Sequence, residues 1–190
     1  MLQELRAASL SLHSKAHLTG QVFPRRPVPV VGIARFLAET RQAHVALRRF
    51  PVHTDTNFAD VLDNDLRALS ALVPVPSPGP TQYSDYLDGL GVPRLGCHWY
   101  NLVFAHISGG GNTICKAIAP SLPDECVLGY YESIHWEDAD RLRSLLAYET
   151  LCWTPEQQAA CVDETGAAFS HGLGMLATLS PPAPAVRRDM

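Results

Sequence analysis

The sequence lacks several features, each of which would point to a class of protein. No apolar run approaches the roughly 20 residues that a membrane-crossing helix needs, so no membrane partner is expected. No alternating β-branched run is bracketed by Asn-Gly or Asp-Gly turns, the ordinary signature of hairpins. The five cysteines (Cys97, Cys115, Cys126, Cys152 and Cys161) are odd in number and include no CxxC pair. A disulfide framework or a zinc site is therefore not expected, and a reducing compartment fits better. No HExxH spacing sets two histidines apart as a metal pair. No basic, apolar, small-residue leader opens the chain, so no secretory signal is expected.

What is present is 190 residues, 46% hydrophobic and 18% charged, enough for one sizeable core and too few for two full domains. Ten of the 15 prolines gather at Phe23–Pro29, Val73–Pro80 and Pro181–Pro184. They divide the chain into a domain over 1–180, with internal loops, and a Pro-rich tail over 181–190. Net charge is −4 but uneven: residues 1–50 carry eight lysines and arginines against Glu4 and Glu39, and the rest carries seven against seventeen acids. A basic first quarter suggests docking of an anionic ligand or an acidic protein. Nucleic acid is not expected, because that would call for a more basic whole with stacking aromatics.

Apolar residues recur with helical period almost throughout. Leu2, Leu5, Ser9, Leu12 and Ala16 line a first helix, ended by Gly20. Ile33, Phe36, Leu37, His44 and Leu47 line a second, and Val61, Leu62, Leu66, Leu69 and Leu72 a third. Tyr83, Tyr86 and Leu87 mark a short fourth before Gly89. An aromatic-rich helix spans Cys97 to Ala119, and another runs from about Tyr130 to Leu151 with Leu142, Leu145 and Leu146 inward. Thr154, Pro155 and Gln157 open the last helix as cap, first-turn proline and capping-box partner. Val162, Phe169, Leu173 and Leu176 continue its stripe. The expectation is an all-α, single-domain bundle of six or seven helices.

Two features carry chemistry. Gly109, Gly110 and Gly111 sit inside a helical pattern at about 1 kcal/mol each relative to alanine. Such a run gives a flat ligand bare backbone to lie against, or else it joins two separate helices. His13 lies beside the apolar stripe of the first helix, where a lone histidine is more often a satisfied core residue than a ligand. His44, His98 and His106 share that ambiguity.

At these residues the chain resembles plant and algal haem oxygenases. The matching pieces are Leu12-His13-Ser14-Lys15, His98-Trp99-Tyr100-Asn101 through Phe104-Ala105-His106, and Ser108-Gly109-Gly110. They continue with Trp153-Thr154, Cys161, Asp163-Glu164-Thr165 and Phe169, in order and in register over roughly residues 2–180. The resemblance implies a haem oxygenase-like bundle with haem between the first, proximal helix and a glycine-kinked distal helix. It implies that His13 ligates the iron, that Gly109 and Gly110 pack on the opposite haem face, and that Arg6 and Tyr100 hold the propionates. Lys15 is then a supporting cation, Arg141 and Arg143 are further propionate partners, and Phe169 packs at the haem edge. His106 takes the distal position and acts through ordered water.

Haem is then both substrate and cofactor, with O2 as co-substrate and no other metal. A histidine-held iron is less inclined to split the O–O bond than a thiolate-held one, which leaves the oxygen to attack the porphyrin ring. The implied products are biliverdin, carbon monoxide and iron(II), with opening at the α-meso carbon. The implied electron donor is ferredoxin, in a plastid stroma, docking on the basic region with Arg25, Arg26, Arg48 and Arg49 as candidates. Two positions depart from the family: Gly111 replaces a basic residue, and His17 replaces a polar or acidic one. The alternative reading is a non-catalytic haem- or tetrapyrrole-binding protein of the same fold.

Overall fold

The computed structural model describes residues 1–18, 28–77, 79–133, 135 and 138–179, with nothing said of the side chains of 16–18 or the surroundings of Gly109. Gly20, Arg25, Arg26, the side chain of His17 and the 181–190 tail therefore lie outside the described residues. Every regular element among the described residues is helical.

Helix α1 (Leu2–Leu18) leads to α2 (Val30–Leu47), which starts directly after the extended Pro29. Helix α2 is the central strut: Ile33, Phe36, Leu37, His44 and Leu47 are all buried, the stripe expected from their spacing. It packs against α3 (Phe58–Leu69), α4 (Gln82–Asp88), α5 (Val92–Trp99) and α10 (Thr165–Ala177). Gly32 lets the end of α10 cross it closely, since a Cβ there would lie 2.6 Å from the Thr178 carbonyl oxygen.

Helix α5 does not stop at the aromatic stretch. It continues through two π-helical segments, Tyr100–Phe104 and His106–Gly110, into α6 (Gly111–Ile118). The single helix expected from Tyr130 to Leu151 is instead two, α7 (Gly129–Glu132) and α8 (Asp138–Glu149). The first of these is set by a distant carboxylate: Asp65 on α3 accepts the backbone N–H groups of Gly129 at 2.8 Å and Tyr130 at 2.9 Å. The second begins afresh with Asp138 and Asp140 in its first turn, where acids complement the helix N-terminus. On α8, Leu142 and Leu146 are buried, but Leu145 is exposed, contrary to expectation.

Helix α9 (Pro155–Asp163) opens on the expected capping box, with Gln157 N–H donating to Thr154 Oγ1 and Thr154 N–H to Gln157 Oε1. The chain then turns at Glu164 into α10, so the helices exceed six or seven because two expected ones are each divided. All five cysteines are free. No helix among the described residues is long and apolar enough to cross a membrane.

Candidate functional site

A cavity of about 710 Å³ lies between α1, the π-helical segments, α8 and α10. That volume is in the range of small-molecule and cofactor sites. It explains an oddity of α1, on which Leu5 is fully buried while Leu10 is 56% exposed. Leu2, Arg6, Ser9 and His13 recur every three or four residues on one face of α1, and that face lines the cavity rather than a core. The same holds for α10, whose Phe169, Leu173 and Leu176 are only half-buried because they form another wall.

His13 presents its ring to the edge of Phe169, with centroids 5.5 Å apart at 70°. Tyr100 sits at the start of the π segment, where burial raises its phenol pKa while Arg6 and Arg143 each pull it back. Arg6 from α1 and Arg143 from α8 line the same cavity as this phenol. The stack beneath them is ordered: Tyr100 lies on Phe104 with centroids 5.0 Å apart, and the Arg143 guanidinium carbon is 5.6 Å from the Phe104 centroid. Asp140 accepts from Arg143 Nη1 at 2.7 Å and fixes its approach. Ser9 Oγ donates to Asn101 Oδ1 at 3.4 Å, tying α1 to the π segment.

The π segments place the glycines. Ala105 N–H donates to the Tyr100 carbonyl and Gly111 N–H to that of His106, each five residues back. Such turns widen the helix and commonly occur at functional sites. Gly110 has an ordinary helical φ of −59°, so no left-handed conformation requires glycine there. Its use is the missing side chain: a Cβ would lie 3.2 Å from the Ala105 carbonyl oxygen, and the residue lines the cavity. The glycine run is therefore a bare strip on a continuous helix, not a junction between two. Gly109 belongs to the same segment, its surroundings lying outside the described residues, and Gly111 is buried.

The histidines separate by their partners. His98 is a satisfied core residue, bonded to Tyr83 Oη at 2.8 Å and Glu164 Oε1 at 3.1 Å. His44 meets Tyr130 Oη at 3.1 Å, and burial first, then His106 and Arg48, push its pKa down to about 3. His106 is different. It lines the cavity, burial pushes its pKa down to about 4, and its Nε2 is buried with no hydrogen-bond partner.

Arg141 does not line the cavity; its Nη2 pairs with Asp55 at 2.9 Å and its Nε with Asp138 at 3.6 Å. Position 143, two residues on, faces the site and 141 turns away, because side chains two apart on a helix point in different directions. Lys15 does not line the cavity either. The basic region is also less basic than its composition suggests. Arg41 forks onto Asp63 at 2.9 and 3.0 Å, Arg48 meets Asp60 at 3.3 Å, and Arg49 meets Asp88 at 3.7 Å. Asp65 and Tyr131, which support the site from outside the cavity, carry no sequence signal, and the Ser9–Asn101 bond is not visible in the sequence although both residues lie in segments that stand out there. Each acts through a residue distant in sequence.

The donor set fits a haem. A mostly apolar slot, two guanidiniums and a phenol at one place, an imidazole on one wall and a strip without a Cβ on another match a flat dicarboxylate with a central iron. The orphan Nε2 of His106 adds a polar contact at the same cavity.

No family model matches the chain. Individual relatives do. Haem oxygenase 1, chloroplastic, of Oryza sativa subsp. japonica is 28% identical over 205 residues, covering 92% of this chain and 69% of its own length. Its namesake in Arabidopsis thaliana is 28% identical, covering 90% of this chain and 70% of its own. Haem oxygenase 3, chloroplastic, of the same plant is 27% identical, with 88% and 69% covered. In sequence, over about nine-tenths of its length, and in its all-α architecture, the chain resembles the plant-type haem oxygenases.

Proposed function

We propose that this protein is a haem oxygenase that takes haem into the 710 Å³ cavity as its substrate and opens the ring at a meso carbon. The products are biliverdin, carbon monoxide and iron(II). The observation that carries the reading is the convergence on one cavity of His13, the Arg6–Tyr100–Arg143 corner, the bare strip at Gly110 and the unpartnered Nε2 of His106.

Each residue has a distinct task. Arg6 and Arg143 bind the two propionates through charge-assisted hydrogen bonds, and Tyr100 Oη donates a further one. This fixes how the ring sits and therefore which meso edge is presented; α is the expectation from the resemblance. His13 supplies a neutral imidazole to the iron, with Phe169 holding the ring edge-on. Gly110 and Gly109 let the ring approach the helix backbone, excluding side chains that would split the O–O bond. His106 stays neutral at ordinary pH and orients water through Nε2 instead of acting as a strong acid. The haem iron, once reduced, supplies the O2 activation.

Ferredoxin as electron donor and the plastid stroma as location rest on the chloroplastic relatives and the resemblance. Arg48 and Arg49 are paired with Asp60 and Asp88 through exposed contacts, which an acidic donor docking there has to displace. The test is turnover. Loaded with haemin and supplied with reduced ferredoxin and O2, the protein should lose its Soret band, gain broad biliverdin absorption and release carbon monoxide. A Soret band that persists under those conditions would make it a non-catalytic haem binder.

A further inference from the structure

We infer that Tyr131 is a positioning residue for His106, acting through one buried water shared between Tyr131 Oη and His106 Nε2. The inference rests on the proposed role of His106 for its importance, but not for its geometry. Among the buried side-chain nitrogens and oxygens described, these two atoms alone have no hydrogen-bond partner. An unsatisfied buried polar atom costs about 1–3 kcal/mol, so two on adjoining rings call for a common partner. The rings are stacked, with centroids 5.9 Å apart and planes 29° from parallel.

The other aromatic hydroxyl beside His106 is already taken. Tyr130 lies 5.3 Å from the His106 ring, but its Oη is bonded to His44 Nε2 at 3.1 Å. Of the two flanking tyrosines, only Tyr131 has a hydroxyl to spare. Its position is fixed from outside the site, because Asp65 holds the first two backbone N–H groups of α7. Burial drives the Tyr131 phenol well above its usual pKa, so it remains a donor, while His106 remains a neutral ring. A single water accepting from Tyr131 and donating to His106 Nε2 satisfies both atoms. It also selects the tautomer with its proton on Nδ1, since the state of one ring nitrogen is set by the bond at the other.

The experiment uses the haem-free protein, so it does not depend on whether haem is turned over. Long-range 1H–15N correlation of the His106 ring in the wild type should show one neutral tautomer with Nε2 accepting. Tyr131→Phe keeps the stacked ring and removes only the hydroxyl; it should mix the tautomers or reverse the preference. Tyr130→Phe should move the His44 signals and leave the His106 tautomer as it was. In the wild type alone, the ring protons of His106 and Tyr131 should both show an NOE to a long-lived internal water. An unchanged His106 tautomer in Tyr131→Phe, an equal response to Tyr130→Phe, or no water NOE would each overturn the inference. Failure of haem turnover with these signals intact would fall on the proposed function instead.

Discussion

At the scale of single residues, the role of each histidine follows from what its ring nitrogens touch. His98 and His44 spend theirs on tyrosine and glutamate oxygens inside the core, whereas His106 Nε2 is left without a protein partner. Sequence position alone could not separate them, because all three sit on apolar helix faces. Gly110 offers the sharpest residue-scale prediction. A leucine there would enter the cavity, so Gly110→Leu should weaken haemin binding at least tenfold, about 1.4 kcal/mol. The haem-free protein should melt close to the wild type, because the roughly 0.8 kcal/mol that leucine gains in helix propensity is set against the 3.2 Å approach of its Cβ to the Ala105 carbonyl oxygen. A titration followed by a thermal scan reads both, and undiminished haemin affinity would contradict the assignment of the bare strip.

At the scale of elements, the sequence showed which segments are helical more readily than what each helix faces. The α2 stripe and the Thr154 capping box are legible because they depend on local spacing and local hydrogen bonds. The stripes of α1 and α10 are legible as apolar, but a cavity wall and a core wall have the same periodicity. The π segments leave no periodic signature, so a glycine run within them reads equally as a strip or a junction. The separation of α7 from α8 depends on Asp65, more than 60 residues upstream in the chain. Because the inner face of α1 lines a cavity, α1 is held in the core mainly by Leu5, the one fully buried side chain described on it. Two outcomes are expected. Leu5→Ala should cost about 2–5 kcal/mol, read as a lower denaturant midpoint, and should weaken haemin binding as well. Haemin should slow hydrogen exchange of the α1 amides more than those of α2, since bound ligand stabilises the element that closes on it. Equal protection of both helices would contradict the cavity assignment.

At the scale of the whole molecule, composition reports neither which charges are paired nor how the fold responds to pH. Three of the eight cations in residues 1–50 are met by acids on other elements, through Arg41–Asp63, Arg48–Asp60 and Arg49–Asp88. Pairing of that kind is invisible before the helices are assembled. His44 and His106 contribute to the acid sensitivity of the fold. Both are held in the native state near pKa values of about 3 and about 4, below the 6.5 of a free histidine. The unfolded chain therefore binds more protons, so their contribution is intact above pH 6.5 and is lost as pH falls toward 4 and then 3. At pH 5 the loss is about 2 kcal/mol for each. Urea melts at pH 7 and pH 5 should show it, with His44→Asn reducing the difference; equal midpoints would contradict it. Haem binding in this cavity on His13 is decided by titrating haemin into the wild type and into His13→Ala. The wild type should give a one-to-one Soret band that is lost or displaced in His13→Ala and restored by added imidazole. An identical band and stoichiometry in both proteins would contradict it.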